Sequence, residues 1–211
     1  ELKALIASLS KPVERIYLSH DHDHHWIGLE AFAGVPVYAS AATIKTIQEQ
    51  GETLLAEAKK QFGEEMIPYT KVIVPDHELP AGEETIDGVR FAYSTPFAEL
   101  TGAVTFTEFP DQQVVIMHHL AYNGVQLPVP PIEPRIEALK QLQNSNKYSY
   151  IICGHGIPSE ASAYFDATLG YYAKLGEIVN ASPDVATAKE KLLQAYPNWG
   201  GAFFLDMMLP A

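Results

Sequence analysis

Four of the chain's eight histidines fall within six residues, in the run His20-Asp21-His22-Asp23-His24-His25, directly after the apolar stretch VERIYLS at 13–19. That stretch follows Pro12 and reads as a short buried strand. A fold that accepts this sequence must release a strand into a loop where four imidazoles crowd together. Protonated imidazoles repel one another, whereas neutral imidazole nitrogen is a preferred ligand of zinc, iron, nickel and copper. A metal is the simplest agent that would hold such a cluster. The cluster is internal and follows a hydrophobic strand, which sets it apart from an affinity tag.

The remaining histidines repeat the pattern. His118 and His119 follow the strand-like run 114–117, and His155 sits in the turn Gly154-His155-Gly156 after the run 150–153. Seven of the eight histidines therefore lie just past a predicted strand end, and only His77 lies elsewhere.

Further strand-like runs are 35–39 (VPVYA) and 71–75 (KVIVP). Residues 83–93 suggest a hairpin turning at Asp87-Gly88, and the alternating run 103–109 turns at Pro110-Asp111 into 114–117. Helical patterns cover 2–9, 26–33, 41–62 and 135–143. The segment 158–196 is helical too, with Pro183 starting a second helix after Ser182. A proline-rich connection occupies 128–134. Strands alternate with helices, yet several are hairpin-connected, which indicates an α/β sandwich with mixed sheets; a doubly wound parallel fold is the alternative. The sequence lacks a GxGxxG or GxxxxGKS phosphate loop and a GxSxG elbow, which argues against nucleotide binding and serine hydrolysis.

Composition narrows the function classes. With 211 residues, 47% hydrophobic and 19% charged, the chain is expected to form a single domain over 1–211 with the helical segment 158–196 packed on it, not a disordered or collagen-like polymer. No apolar run approaches the ~18–20 residues that span a bilayer. Twenty-six acidic residues against 14 basic ones give a formal charge of −12, the wrong sign for a nucleic-acid partner. The single cysteine, Cys153, excludes an internal disulfide and reads as an inert buried thiol. The chain opens at Glu1, without a start Met, directly into a helix-like stretch, and so reads as processed or truncated. Its compartment, cytoplasmic or exported, stays open.

The run His20-Asp21-His22-Asp23-His24-His25-Trp26-Ile27-Gly28 resembles the HxHxDH signature of the metallo-β-lactamase superfamily. Ser94-Thr95-Pro96-Phe97-Ala98-Glu99-Leu100-Thr101-Gly102 resembles the family's histidine-bearing loop, and 114–123 (VVIMHHLAYN) the strand and loop that normally end in Gly-Asp. Residues 151–158 (IICGHGIP) match the last ligand motif, with His155 as the ligand. The resemblance covers about 13–196, and its first and last motifs are the specific ones. It implies an αββα sandwich with one or two metals at a strand-end edge and, for most members, hydrolysis of esters, lactams, lactones, thioesters or phosphoesters. The family's strands upstream of the first histidine motif are largely missing here, so an incomplete first sheet or a truncated chain is expected.

The departures from the family pattern bear on the metal. His20, His22 and His25 fall on family histidines, but His24 falls where the family has Asp, and Glu99 where it has a histidine. His119 falls on the bridging Asp, and His118 replaces the preceding glycine. A carboxylate can bridge two close metals, whereas a neutral imidazole binds through one nitrogen while the other points away. The resemblance thus implies one metal, or two held by separate ligand sets: His20, His22 and Glu99 for one, His24, His25 and His155 for the other, with His119 a candidate for either. Such nitrogen-rich ligation favours zinc, with iron the alternative, over magnesium or calcium. Asp21 and Asp23 are spare carboxylates that would orient a histidine or replace the missing Asp as general base. Tyr122 would face substrate or pack.

The leading expectation is a hydrolase that uses metal-bound water on a small-molecule ester, lactone, thioester or phosphoester. Its rivals are a non-haem iron oxidoreductase of dioxygenase type on the same fold, and a metal-binding protein without turnover.

Overall fold

The structure, a computed structural model, describes residues 2–80, 82–102 and 104–209. Glu1 and Ala103, where the expected strand 103–109 begins, lie outside them. The chain divides into two compact units, Glu1–Gly82 and Glu83–Ala211, each with its own hydrophobic core.

The first unit runs α1 (Leu2–Ser8), β1 (Ile16–Tyr17), α2 (Asp23–Trp26), a 3-10 turn (Ile27–Phe32), β2 (Val37–Ala39), α3 (Ala41–Phe62) and β3 (His77–Glu78). Its parallel sheet has the order β1-β2-β3, with Tyr17 opposite Tyr38 and Tyr38 opposite His77. The long helix α3 occupies the range its periodicity predicts. Ser40 caps it by accepting the Thr43 N–H at 3.2 Å. Its buried stripe of Thr43, Ile47, Gly51, Leu55 and Ala58 belongs to the face that meets the core formed by Val37, Ala39 and Trp26.

The run 71–75 is not a strand. Val72 and Ile73 pack against the core as loop residues, and pairing with β2 begins only at Asp76, whose carboxylate accepts the Val37 N–H at 2.8 Å. Apolar content there reflects burial rather than ladder formation. His77, the histidine without an expected role, lies in β3 with its ring stacked on Tyr38 at 4.7 Å.

The second unit holds a six-stranded sheet in chain order: β4 (Glu83–Ile86), β5 (Val89–Ser94), β6 (Phe106–Phe109), β7 (Val114–His118), β8 (Tyr150–Cys153) and β9 (Ser159–Glu160). Every neighbouring pair is antiparallel except β7 and β8. Between β5 and β6 lies the short α4 (Ala98–Thr101), and between β7 and β8 the helix α5 (Ile132–Ser145). After β9 follow α6 (Ala161–Asn180), α7 (Val185–Ala195) and α8 (Phe204–Met208). The break in 158–196 falls as expected, but the second helix starts at Val185 and not at Pro183, with Asp184 capping it by accepting the Thr187 N–H at 2.7 Å. Phe106, Met117, Leu139, Ile151, Tyr164 and Leu192 centre this unit's core. Among the described residues no helix is long and apolar enough to cross a membrane.

Candidate metal centre

In the first unit the histidine run leaves the carboxyl end of β1 and turns into α2. Two anchors hold this loop. Leu18 N–H donates to the Tyr38 carbonyl at 2.8 Å, and the buried Trp26 donates its indole N–H to the Asp21 carbonyl at 2.9 Å. Between them the imidazoles converge. Ring centroids lie 4.4 Å apart for His20 and His22, 4.1 Å for His20 and His25, and 4.4 Å for His24 and His25. A ligand nitrogen of His20 lies within 4.8 Å of one on His25, and the same holds for His22 and His24. One ion with metal–nitrogen bonds of ~2 Å fits between nitrogens at that spacing.

At His22 the electrostatics favour a neutral, metal-ready ring. Crowding strips water from His22 and lowers its pKa, and repulsion from His24 acts in the same direction against the pull of Asp21 and Asp23. Ser19 Oγ lies 2.7 Å from His20 Nδ1, which makes Nε2 the ligand nitrogen in any metal complex. Asp23 accepts the backbone N–H of His24 at 2.7 Å and sits 3.3 Å from its Nδ1, so its carboxylate orients a histidine.

The second unit gathers its own group where the parallel strands β7 and β8 end side by side. The register slips between Ile116 and His118, and His118 takes a left-handed backbone conformation at φ +47°. This irregularity turns His119 out of the ladder. The rings of His119 and His155 then lie 5.5 Å apart, and Tyr122 Oη is 2.9 Å from His119 Nδ1. Only 3% exposed, Tyr122 has its hydroxyl on His119 and not in solvent; burial pushes that hydroxyl well above the ordinary tyrosine range.

The two loops are stitched to each other. Ile157 N–H donates to the Asn123 carbonyl at 2.9 Å, while the Asn123 amide donates to Ile157 O and Ser159 Oγ. Gly156 lies at φ +101°, and a Cβ there would come within 1.9 Å of Asn123 O, so only glycine permits the approach.

Not every expected ligand joins these groups. Glu99 is exposed on α4 and lines a cleft with Glu137 and Gln141 of α5; it is not among the described donor atoms that converge. His118 has its pKa pushed down to about 4 by burial and remains neutral. Cys153 is a buried thiol whose pKa burial raises, in keeping with an inert core residue.

Two contributors escaped the sequence reading. Arg135 is buried, and its Nη1 donates to both the His119 and Leu120 carbonyls at 2.8 Å, pinning the loop from α5. A helical period gives no sign of a buried cation. Ser19 escaped as well, although a hydroxyl directly before the first histidine was a usable signal.

At the level of sequence alone, no protein-family model and no curated protein matches the chain. Solved structures do match. A metallo-β-lactamase from Pontibacter korlensis superposes with a TM-score of 0.59 at 20% identity, covering 82% of this chain and 74% of that one. The chain has the metallo-β-lactamase fold. The metallo-β-lactamase FIM-1 from Pseudomonas aeruginosa, solved in a mono-zinc form, matches with a TM-score of 0.54 at 16% identity over 82% of this chain and 71% of that one. The sec-alkylsulfatase Pisa1 from Pseudomonas sp. matches with a TM-score of 0.53 at 15% identity, over 90% of this chain but only 38% of that one. The metallo-β-lactamase fold expected from the histidine motifs is therefore present, its two sheets lying one in each unit.

Proposed function

We propose that the chain is a metal-dependent hydrolase whose metal ligands in the first unit are His20, His22, His24 and His25, while His119 and His155 form the second unit's own candidate ligand group. The observation that carries this reading is the packing of four imidazoles to ring separations of 4.1–5.7 Å at the end of β1. The donor set suits zinc: nitrogen-rich, with His22 held neutral by desolvation, and backed by Ser19 and Asp23. The shared fold with metallo-β-lactamases and an alkylsulfatase supports hydrolysis as the reaction class.

When bound, zinc supplies a water nucleophile near neutral pH and polarises the electrophile. The chain's own residues do the rest. Ser19 and Tyr122 hold the Nδ1 atoms of His20 and His119, and Asp23 fixes the backbone and ring of His24. Asp21 and Asp23 are the carboxylates beside the cluster able to take up a proton released during hydrolysis.

The test is a chelator-stripped and zinc-restored protein assayed on carboxylic, thio-, phospho- and sulfate esters and on lactones. Turnover that disappears on stripping and returns with zinc is expected. Zinc-loaded protein inert across the panel contradicts the reading, and bound iron with oxygen uptake replaces it with redox chemistry.

A further inference from the structure

A cavity of about 520 Å³ opens within the first unit, with His24 and His25 in its wall. That volume lies in the ~300–1,000 Å³ range of small-molecule sites. The rest of the wall is mainly aliphatic and aromatic: Ile6 from α1, Val13, Ile16, and Leu29 and Phe32 from the 3-10 turn. None of the lining residues is acidic, while Lys3 and Arg15 are both cations, in a chain whose net charge is −12.

Helix α1 gives a second reason to expect an occupant. Leu2 and Ile6, one turn apart, both line the cavity, yet no residue of α1 is buried and none joins the core. An apolar ligand would supply the burial this helix lacks.

We infer that the cavity receives the hydrocarbon chain of the substrate, and that the substrate is an ester of a medium-chain aliphatic acid whose carbonyl lies at His24 and His25. The inference rests on the hydrolase reading and adds the substrate class. In the reaction, water oxygen forms a bond to the acyl carbon and the acyl carbon–alkoxy oxygen bond breaks. The alkoxy oxygen takes one of the water's protons and leaves as the alcohol, the second proton is released to solvent, and a carboxylate remains. Lys3 and Arg15 favour that anionic product electrostatically.

The test separates the two claims. Metal-free protein is titrated with butyrate, hexanoate, octanoate and decanoate. Zinc-loaded protein is assayed on the matching p-nitrophenyl esters. Affinity and kcat/KM are expected to rise about three- to fourfold per added methylene until the cavity is full. Decyltrimethylammonium, of equal chain length and opposite charge, is expected to bind more weakly than decanoate. Ala31→Phe, which fills the cavity from the 3-10 turn, is expected to weaken decanoate at least tenfold and leave butyrate unchanged, with helix content by circular dichroism confirming the fold. Ile6→Trp, at a partly exposed position on α1, repeats the test from the opposite wall. Decanoate binding no tighter than butyrate, or unaffected by both variants, overturns the inference. Chain-length-dependent binding without zinc-dependent turnover supports the cavity assignment and contradicts the hydrolase reading. Turnover of short esters without chain preference does the reverse.

Discussion

The hydroxyl of Tyr122 lies 2.9 Å from Nδ1 of His119, behind a ring that also packs 5.5 Å from His155. A buried partner on Nδ1 fixes the orientation of the imidazole and presents Nε2 as a metal donor. Removing such a partner typically weakens metal binding by 10- to 100-fold. Tyr122→Phe is therefore expected to weaken zinc binding by about tenfold in chelator competition, at a stability cost of about 1 kcal/mol.

Arg135 tests the scaffold behind that ring. It is a buried cation with no carboxylate partner among the described residues, and it bonds two successive carbonyls. Arg135→Met leaves both carbonyls unsatisfied. The expected loss is about 3 kcal/mol, read as a lower urea midpoint with an unchanged m-value.

His118 gives the protein a pH dependence with a definite sign. Its pKa is lowered from 6.5 to about 4 by burial, so the folded state holds it neutral while the unfolded chain protonates first as pH falls. Its stabilising share is complete above pH 6.5 and is lost progressively down to about pH 4. Between pH 7.5 and pH 5 this amounts to about 2 kcal/mol. His118→Asn keeps a residue that tolerates φ +47° and removes the titration. Urea midpoints of wild type and variant at the two pH values are expected to show a smaller drop in the variant by that amount.

Gly156 bridges to Asn123 where the second unit's two histidine loops run side by side. Gly156→Ala places a methyl against Asn123 O, and the stitch between 119–123 and 154–157 must open. A loss of about 3 kcal/mol is expected, with a shift in the His119 and His155 imidazole resonances as the loops separate.

The legible parts of the fold were those where one local signal dominated. Helix α3 and strand β8 carry uninterrupted patterns and occupy the ranges read for them. The Asp87-Gly88 turn likewise sits between β4 and β5, with Asp87 at φ +49° and Gly88 at φ +80°. Short parallel strands were harder to place. In 71–75, apolar side chains meet a core while their backbone joins no strand ladder, and periodicity cannot separate those two uses of a valine. At the site, histidines next to one another in sequence were read directly as a cluster. The distant partners Arg135 and Thr168, which bond the carbonyls of His119 and Tyr122, depend on tertiary packing that no local pattern encodes.

The most direct test of the central claim is metal content by elemental mass spectrometry, on protein purified without an immobilised-metal column. Wild type is compared with a His22→Ala/His24→Ala variant; both side chains are exposed, so their loss spares the core. The account expects about one to two zinc ions per wild-type chain and a clear reduction in the variant, with the thermal midpoint of the metal-free proteins unchanged. A wild-type chain that holds no stoichiometric metal, even after reconstitution with zinc or iron, contradicts it.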